Sequence, residues 1–403
     1  MTMIQTPAAE MSRSAADLLA RARELAPTLR ERSAEIEKAR TLPLDIVETL
    51  RAAGVFRMCF DQEWGGLGLT SMEQTEVVEA LAYGDASVGW CSMIGANLGI
   101  YSRFIDQDVA RAMFPNPDMI VAGLLQPSGR AERVPGGFRL SGRWPFGSGI
   151  NHADWIISGA FVFEDGKPYA SPDGSNPHES RQFMVPRAHA EVIDNWHTTG
   201  LAGSGSSDYT FTDVFVQEEH TFSFDKVYGA PGPLASPDAF TRAMCGAPLG
   251  VARAALDYAR DIALTRMDRM AGKPWAELYR VQVALAECEA DYNATRAGVY
   301  AAMTREWDVL TAGGTLDDLA PNDRAAIPVS WVHAFRMSRS IVSRLYDLLQ
   351  TWSILQSSPM DRWMRDTATM RQHLTAQDLI LQSAGAYLAG GTPAFGICLG
   401  IVK

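Results

Sequence analysis

The chain has 403 residues, 47% hydrophobic and 21% charged, with a formal net charge of −11. That length supports a large core divided over two or three domains. The acidic balance repels phosphate backbones and argues against nucleic-acid binding. Gly and Pro, at 34 and 21, are near their ordinary share, so a collagen-like or low-complexity chain is excluded. Cys59, Cys91, Cys245, Cys288 and Cys398 lie far apart with no C-x-x-C pair, which suits a reducing cytoplasm and argues against a zinc site. The N-terminus has no apolar h-region, so no secretory signal is expected.

Three zones follow in chain order. The first, 1–118, reads as a helical domain. Ser14-x-x-Asp17 resembles a capping box, and Leu18, Leu25 and Leu29 recur at helical spacing. Pro43 suits the first position of a second helix, with Ile46 and Leu50 on one face and Gly54 just past its end. Ser71-x-x-Gln74 caps a third helix with Val77, Val78 and Leu81. A fourth begins near Ser87 and runs through Trp90, Ile94 and Asn97 to Tyr101.

The second zone, 119–235, has short apolar runs separated by Gly, Pro, Asn and Asp: MIVAGLL, FRLSG, DWIISGAFVF, QFMVP and YTFTDVFV. This pattern predicts an antiparallel sheet domain closed as a small barrel. Residues 164–181 read as an exposed polar hairpin. The third zone, 236–403, predicts long helices over 238–266, 274–306, 323–356 and 360–389, packed as an up-down bundle. Leu379 to Val402 carries no charge, but Gln382, Ser383 and Gly390-Gly391-Thr392-Pro393 interrupt it. It reads as a buried core helix, a turn and a packed tail, not a membrane span.

Familiar motifs are missing. There is no P-loop, no H-E-x-x-H and no G-x-S-x-G. Gly200-Leu-Ala-Gly203-Ser-Gly205 lacks a third fingerprint glycine and precedes a strand, so it reads as a turn and not a nicotinamide site.

Three places could carry chemistry. Trp144-Pro-Phe146-Gly-Ser148-Gly149-Ile-Asn-His152-Ala-Asp154-Trp155 mixes aromatic, small and polar residues between two strands. It suits close approach to a flat ligand, or simply a Gly-rich turn beside a packed Trp. Asp366 and His373 are seven residues apart, two turns along one helix face. The imidazole is a candidate general base, or a partly buried His bonded to backbone. Arg266 and Arg269, near a helix end, could hold a phosphate or cap a solvated terminus.

Together, in this order and spacing, these places resemble the acyl-CoA dehydrogenase superfamily. They look most like its oxygen-using branch, the two-component (group D) flavin-dependent monooxygenases that hydroxylate aromatic compounds. The resemblance runs from about Ala16 to Ala389. It is carried by Trp64-Gly65-Gly66-x-Gly68, Ala86-Ser87-Val88-Gly89-Trp90, Gly142-Arg-Trp144-Pro-Phe-Gly-Ser148-Gly149 and Trp196-His-Thr-Thr-Gly200-Leu-Ala-Gly203-Ser-Gly205. Asp213-Val-Phe-Val216, Arg269 with Gln282-Val-Ala-Leu285-Ala286, and Arg365-Asp366 with His373 complete it.

The resemblance implies an α+β fold: an α-helical N-terminal domain, a central antiparallel β-barrel and a C-terminal four-helix bundle, as a cytoplasmic homotetramer. It implies reduced FAD or FMN (FADH2 or FMNH2) from a separate NAD(P)H-flavin reductase, molecular oxygen as co-substrate, and a C4a-hydroperoxyflavin attacking a phenol, indole or polyketide-type aromatic. Trp90, Leu124, Gln126, Gly147, Ser148 and Gly149 would touch flavin, with Ser148 near N5. Arg269 would meet its phosphate, often from a neighbouring subunit. His373, oriented by Asp366 or by a backbone group, would move a proton. Asn97 and Tyr101 would face substrate, with Asn97 standing where some relatives have a histidine. Gln217 departs from the proline of many relatives. The Tyr-Glu-Gly glutamate of the dehydrogenases has no counterpart, because no Asp or Glu follows Asp378. An acyl-CoA dehydrogenase with a displaced base, an N- or S-oxygenase on the same scaffold, and a non-catalytic protein that has lost flavin are the alternatives.

Overall fold

The computed structural model describes residues 13–171 and 177–402. The first zone folds as α1 (Arg13–Glu31), α2 (Ser33–Ala39), α3 (Leu44–Ala53), α4 (Ser71–Gly84), α5 (Ala86–Ala96), α6 (Leu98–Tyr101) and α7 (Gln107–Met113). Ser14 lies inside the first turn of α1, not before it. Pro43 precedes α3, and Gly54 ends it in the left-handed region at φ 89°. The α4 cap is Thr70, not Ser71. The Thr70 hydroxyl accepts the Glu73 N–H, and the Glu73 carboxylate accepts the Thr70 N–H.

The second zone forms β1 (Val121–Val134), β2 (Gly137–Gly147), β3 (Trp155–Glu164), β4 (Lys167–Pro168), β5 (Ser180–Pro186), β6 (Glu191–Ile193), β7 (Ser207–Gln217) and β8 (Thr221–Phe222). The order is β6-β7-β2-β1-β3-β5-β8, with β4 on β3. Two expectations change here. Among the described residues the hydrogen-bonded path stays open between β6 and β8, and β1 pairs with β3 in parallel. The second follows from the connection. Residues 148–154 pass beneath the start of β1, where the Asp154 and Trp155 N–H groups donate to Ile120 O at 2.8 and 3.1 Å. β3 therefore rises on the far side of β1 from β2. The 164–181 hairpin is seen in its strand ends, Lys167–Pro168 and Ser180; residues 172–176 lie outside the described residues.

The third zone contains α8 (Ala239–Arg242), α9 (Gly246–Thr265), a hairpin of β9 (Met267–Asp268) and β10 (Lys273–Pro274), α10 (Tyr279–Thr311), α11 (Pro321–Leu349), α12 (Met360–Met370) and α13 (Asp378–Leu388). The expected 360–389 helix is two helices, parted at 371–377. Inside α13, Ile380, Ser383 and Ala384 are buried while Leu379 and Leu388 are exposed, so it is a half-solvated helix and not a core one. No helix among the described residues is long and apolar enough to cross a membrane. One continuous apolar core joins the three zones, from Leu18 and Val78 through Phe138 and Trp144 to Leu256 and Trp331.

Candidate active site

Trp90 is the point where the three zones meet. Its indole Nε1–H donates to Ser148 Oγ at 3.2 Å. Its ring meets the His373 imidazole edge-on, with centroids 5.3 Å apart, and Phe335 of α11 at 6.5 Å. The sequence fixes this placement locally. The Asp85 carboxylate accepts the N–H groups of Ser87 and Val88 and starts α5. A Cβ at Gly89 would stand 2.6 Å from Ala82 Cβ, so this glycine lets α5 press onto α4.

Ser148 lies at the crossover beneath β1. In the β2–β7 ladder Trp144 faces Tyr209 and Gly147 faces Ser207, so β2 carries one extra residue. Phe146 absorbs it with φ 64° and 59% exposure, its ring against Trp196. This local strain aims Ser148 inward, where it is 7% exposed. The Gly149 N–H donates to Ser204 O at 2.8 Å. A row of hydroxyls continues from Ser148: Ser148 Oγ to Ser206 Oγ at 2.7 Å, Ser206 Oγ to Ser204 Oγ at 2.7 Å, and Ser204 Oγ–H to Leu201 O at 2.7 Å.

Asp366 and His373 do not share a helix face. α12 ends at Met370, and His373 is extended at φ −64°, ψ 148°. It caps the turn Leu374–Ala376: its Nδ1 accepts the Thr375 N–H at 3.3 Å and pairs with Thr375 Oγ1 at 2.9 Å. An accepting Nδ1 places the proton of the neutral ring on Nε2. Burial pushes the His373 pKa down to about 4, so the ring is neutral at ordinary pH. Thr375, not Asp366, orients it; of the two open orienters, the local backbone and its side chain hold the place. The Asp366 carboxylate accepts the Leu201 N–H at 2.7 Å. Burial raises its pKa to about 7, against the opposing effect of that bond. The latch requires Gly200, whose Cβ would lie 2.2 Å from Arg365 O.

The other expected residues are spread around this centre. The Leu124 N–H donates to Tyr209 OH at 3.1 Å, and Tyr209 in turn pairs with Trp144 across the β2–β7 ladder. Gln126 is exposed on a stretch of β1 that has no β2 partner before Arg130. Gly147 is buried against Ile150 and Tyr209. Asn97 donates to Phe240 O at 3.2 Å and is bonded to Tyr101, which packs on Phe222, Phe224 and Phe240. Trp90, Ile94, Asn97 and Tyr101 follow one stripe along α5 and α6. Arg269 stands exposed in the β9–β10 turn, with no hydrogen bond or ion pair among the described residues. Sequence reasoning missed the roles of Ser204, Ser206 and Thr375. Only Thr375 left a local signal, a hydroxyl residue two positions after His373.

The chemistry of these residues suits the edge of a flat heterocycle. The half-buried Leu124 and Leu125 lie on the stretch of β1 that pairs with β3 but not with β2, and the indole edge, the Ser148 hydroxyl and the neutral imidazole gather around Trp90. Among the described residues no group of three or more His, Cys, Asp or Glu is placed to hold a metal ion.

Comparison with known proteins gives the same reading. Residues 6–111 match the family model "Acyl-CoA dehydrogenase, N-terminal domain", and residues 243–378 match "Acyl-CoA dehydrogenase, C-terminal domain". Indole-3-acetate monooxygenase of Pseudomonas putida is 29% identical over 371 residues, covering 90% of this chain and 91% of the relative. The flavin-dependent monooxygenase oxygenase subunit HsaA of Rhodococcus jostii is 26% identical over 93% of this chain and 97% of its own. The crystal structure of the HsaA monooxygenase from M. tuberculosis superposes with a TM-score of 0.85 at 25% identity, covering 96% of this chain and all of that one. The chain belongs to the acyl-CoA dehydrogenase family, in its branch of flavin-dependent monooxygenases.

Proposed function

We propose that the chain is the oxygenase component of a two-component monooxygenase, hydroxylating an aromatic substrate with reduced flavin delivered by a separate reductase. The observation that carries this reading is the meeting of Ser148 and a neutral His373 on Trp90, in a fold shared with oxygenase subunits. The relative acting on indole-3-acetate supports a flat aromatic guest. Bound reduced flavin supplies the activation of dioxygen. The chain supplies the rest: binding, orientation, exclusion of water and proton movement.

Ser148 would hold the N5 edge of the flavin, and Trp90, Leu124, Gln126, Gly147 and Gly149 would lie around the ring. Asn97 and Tyr101 contact the substrate from the aromatic side. His373 moves the proton. Its Nε2–H can hydrogen-bond an oxygen, and the reverse tautomer makes Nε2 a base that takes the proton of a phenol or indole N–H and becomes imidazolium. Thr375 Oγ1, 2.9 Å from Nδ1, serves both tautomers by donating to the bare nitrogen or accepting from the protonated one. Arg269, exposed and without an ion pair among the described residues, meets the flavin phosphate of a neighbouring copy in a homotetramer. FAD and FMN both suit these residues. The enzyme works in the cytoplasm.

Dehydrogenation of an acyl thioester is disfavoured because it needs a free carboxylate base. Among the described residues each buried carboxylate is committed: Glu73 to the Thr70 N–H, Asp85 to Ser87 and Val88, Asp238 and Glu306 to Arg242, and Asp366 to Leu201. The test is a panel of phenols, indoles and polyketide aromatics, with reduced FAD or FMN from an unrelated reductase. Products gaining one oxygen atom support the reading. Bleaching of bound oxidised flavin by an acyl-CoA, with no oxygenated product, overturns it.

A further inference from the structure

The row of hydroxyls beside Trp90 has one direction that satisfies every contact, with Leu201 O at its end also accepting the Ser204 N–H and the Trp196 Nε1–H, each at 3.0 Å. Ser204 Oγ faces a carbonyl, Leu201 O, at 2.7 Å, and a carbonyl can only accept. The single Ser204 proton is therefore spent there, so Ser204 accepts from Ser206 across their 2.7 Å contact. That uses the Ser206 proton, so Ser206 in turn accepts from Ser148, again at 2.7 Å. The far end is fixed too, because indole Nε1–H only donates, and it donates to Ser148. The polarity runs from Trp90 through Ser148, Ser206 and Ser204 to Leu201. Its members are 1–7% exposed, too buried for bulk water to supply a competing partner. The terminal carbonyl is held in place by the left-handed backbone of Leu201 (φ 50°) and by the Leu201 N–H bond to Asp366.

We infer that this relay selects the redox state of the bound flavin. With its proton directed at Ser206, Ser148 has no hydrogen to offer a bound flavin and one lone pair left to accept. The N5 of a reduced flavin carries a hydrogen and satisfies that lone pair. The N5 of an oxidised flavin carries a lone pair of its own and meets repulsion. Ser204 and Ser206 are thus positioning residues: they do not touch the cofactor but set which of its forms Ser148 accepts. The relay makes oxidised flavin the weaker ligand, so spent cofactor leaves and a reduced one takes its place. The inference rests on the reading that Ser148 meets N5.

The test is anaerobic titration of the whole protein with FMN and FAD, each reduced and oxidised, following flavin absorbance and fluorescence. Wild type is expected to bind the reduced form more tightly. In Ser206→Ala the Ser148 proton is released to point at the bound flavin. The ratio of oxidised to reduced Kd should shrink roughly fivefold, the worth of one exchanged hydrogen bond. Ser206→Thr, which keeps the hydroxyl, should restore it. Ser204→Ala cuts the relay at its anchored end and should shrink the ratio in the same direction; it also serves if Ser206→Ala fails to fold. A ratio unchanged in the alanine variants, with flavin still bound, overturns the relay. Wild type that binds neither redox form of either flavin overturns the flavin reading beneath it.

Discussion

Replacing Asp366 with Asn should stabilise the protein in alkali, although Asp366 makes a short hydrogen bond. The carboxyl is 4% exposed, and its pKa is about 7 in the fold against an ordinary 3.8. The folded state therefore holds a proton that the unfolded chain releases above about pH 4. Stability falls as pH rises from there through 7. At 1.36 kcal/mol for each pH unit, the span between the two values is worth about 4 kcal/mol. The amide of Asn carries no charge and keeps an oxygen for the Leu201 N–H. Its NH2 group lacks a partner, which costs about 1–2 kcal/mol at every pH. Asp366→Asn should thus be slightly less stable than wild type at pH 4.5 and about 2 kcal/mol more stable at pH 8.5. Urea unfolding at pH 4.5, 6, 7 and 8.5 measures the crossing. A variant that is less stable at pH 8.5 by more than about 1 kcal/mol would refute the reasoning. It would mean that the ionised carboxylate is not penalised by burial and that its charge holds the loop.

Other outcomes follow from the same geometry. Gly200→Ala places a Cβ 2.2 Å from Arg365 O, so the loop and α12 must separate; a loss of about 2–3 kcal/mol by urea unfolding is expected, and an unchanged midpoint would contradict the close approach. His373→Ala should keep flavin binding while product formation falls by about 10²–10⁴-fold and hydrogen peroxide is released instead; normal coupling would remove His373 from the mechanism. His152 and His373 both have pKa values pushed down to about 4 from 6.5, His152 by burial and then by Arg51. The unfolded chain binds more protons across that range, so stability is lost as pH falls from 6.5 through 4, by up to about 3 kcal/mol for each ring. His152→Gln should flatten that slope, and an identical slope would show that the His152 ring is solvated.

The three zones were legible because composition changes sharply at their borders. Apolar periodicity located α3, α4 and α5, and short β-branched runs located β3, β5 and β7. The helix break at 371–377 was not legible. Arg371 to Asp378 contains neither Gly nor Pro. The chain is turned by tertiary-like bonds instead: Gln377 donates to Arg371 O at 2.9 Å, Arg371 to Ala376 O at 2.5 Å, and His373 caps Thr375. Ser148 was legible as a candidate from its Gly-rich surroundings. Its partners were not, since Ser206 lies 58 residues away and reaches it only through the β2–β7 ladder and the bulge at Phe146. The parallel β1–β3 pair was hidden for a related reason: it depends on the path of residues 148–154 and not on the strands themselves.

The measurement that bears most directly on the central claim is isotopic. The protein is supplied with reduced flavin, an indole or phenol substrate and ¹⁸O₂ in ordinary water, and the product is weighed by mass spectrometry. One ¹⁸O atom per product molecule, lost in His373→Ala, is the predicted result. Product oxygen drawn from water, or peroxide as the only outcome across the whole substrate panel, would contradict it.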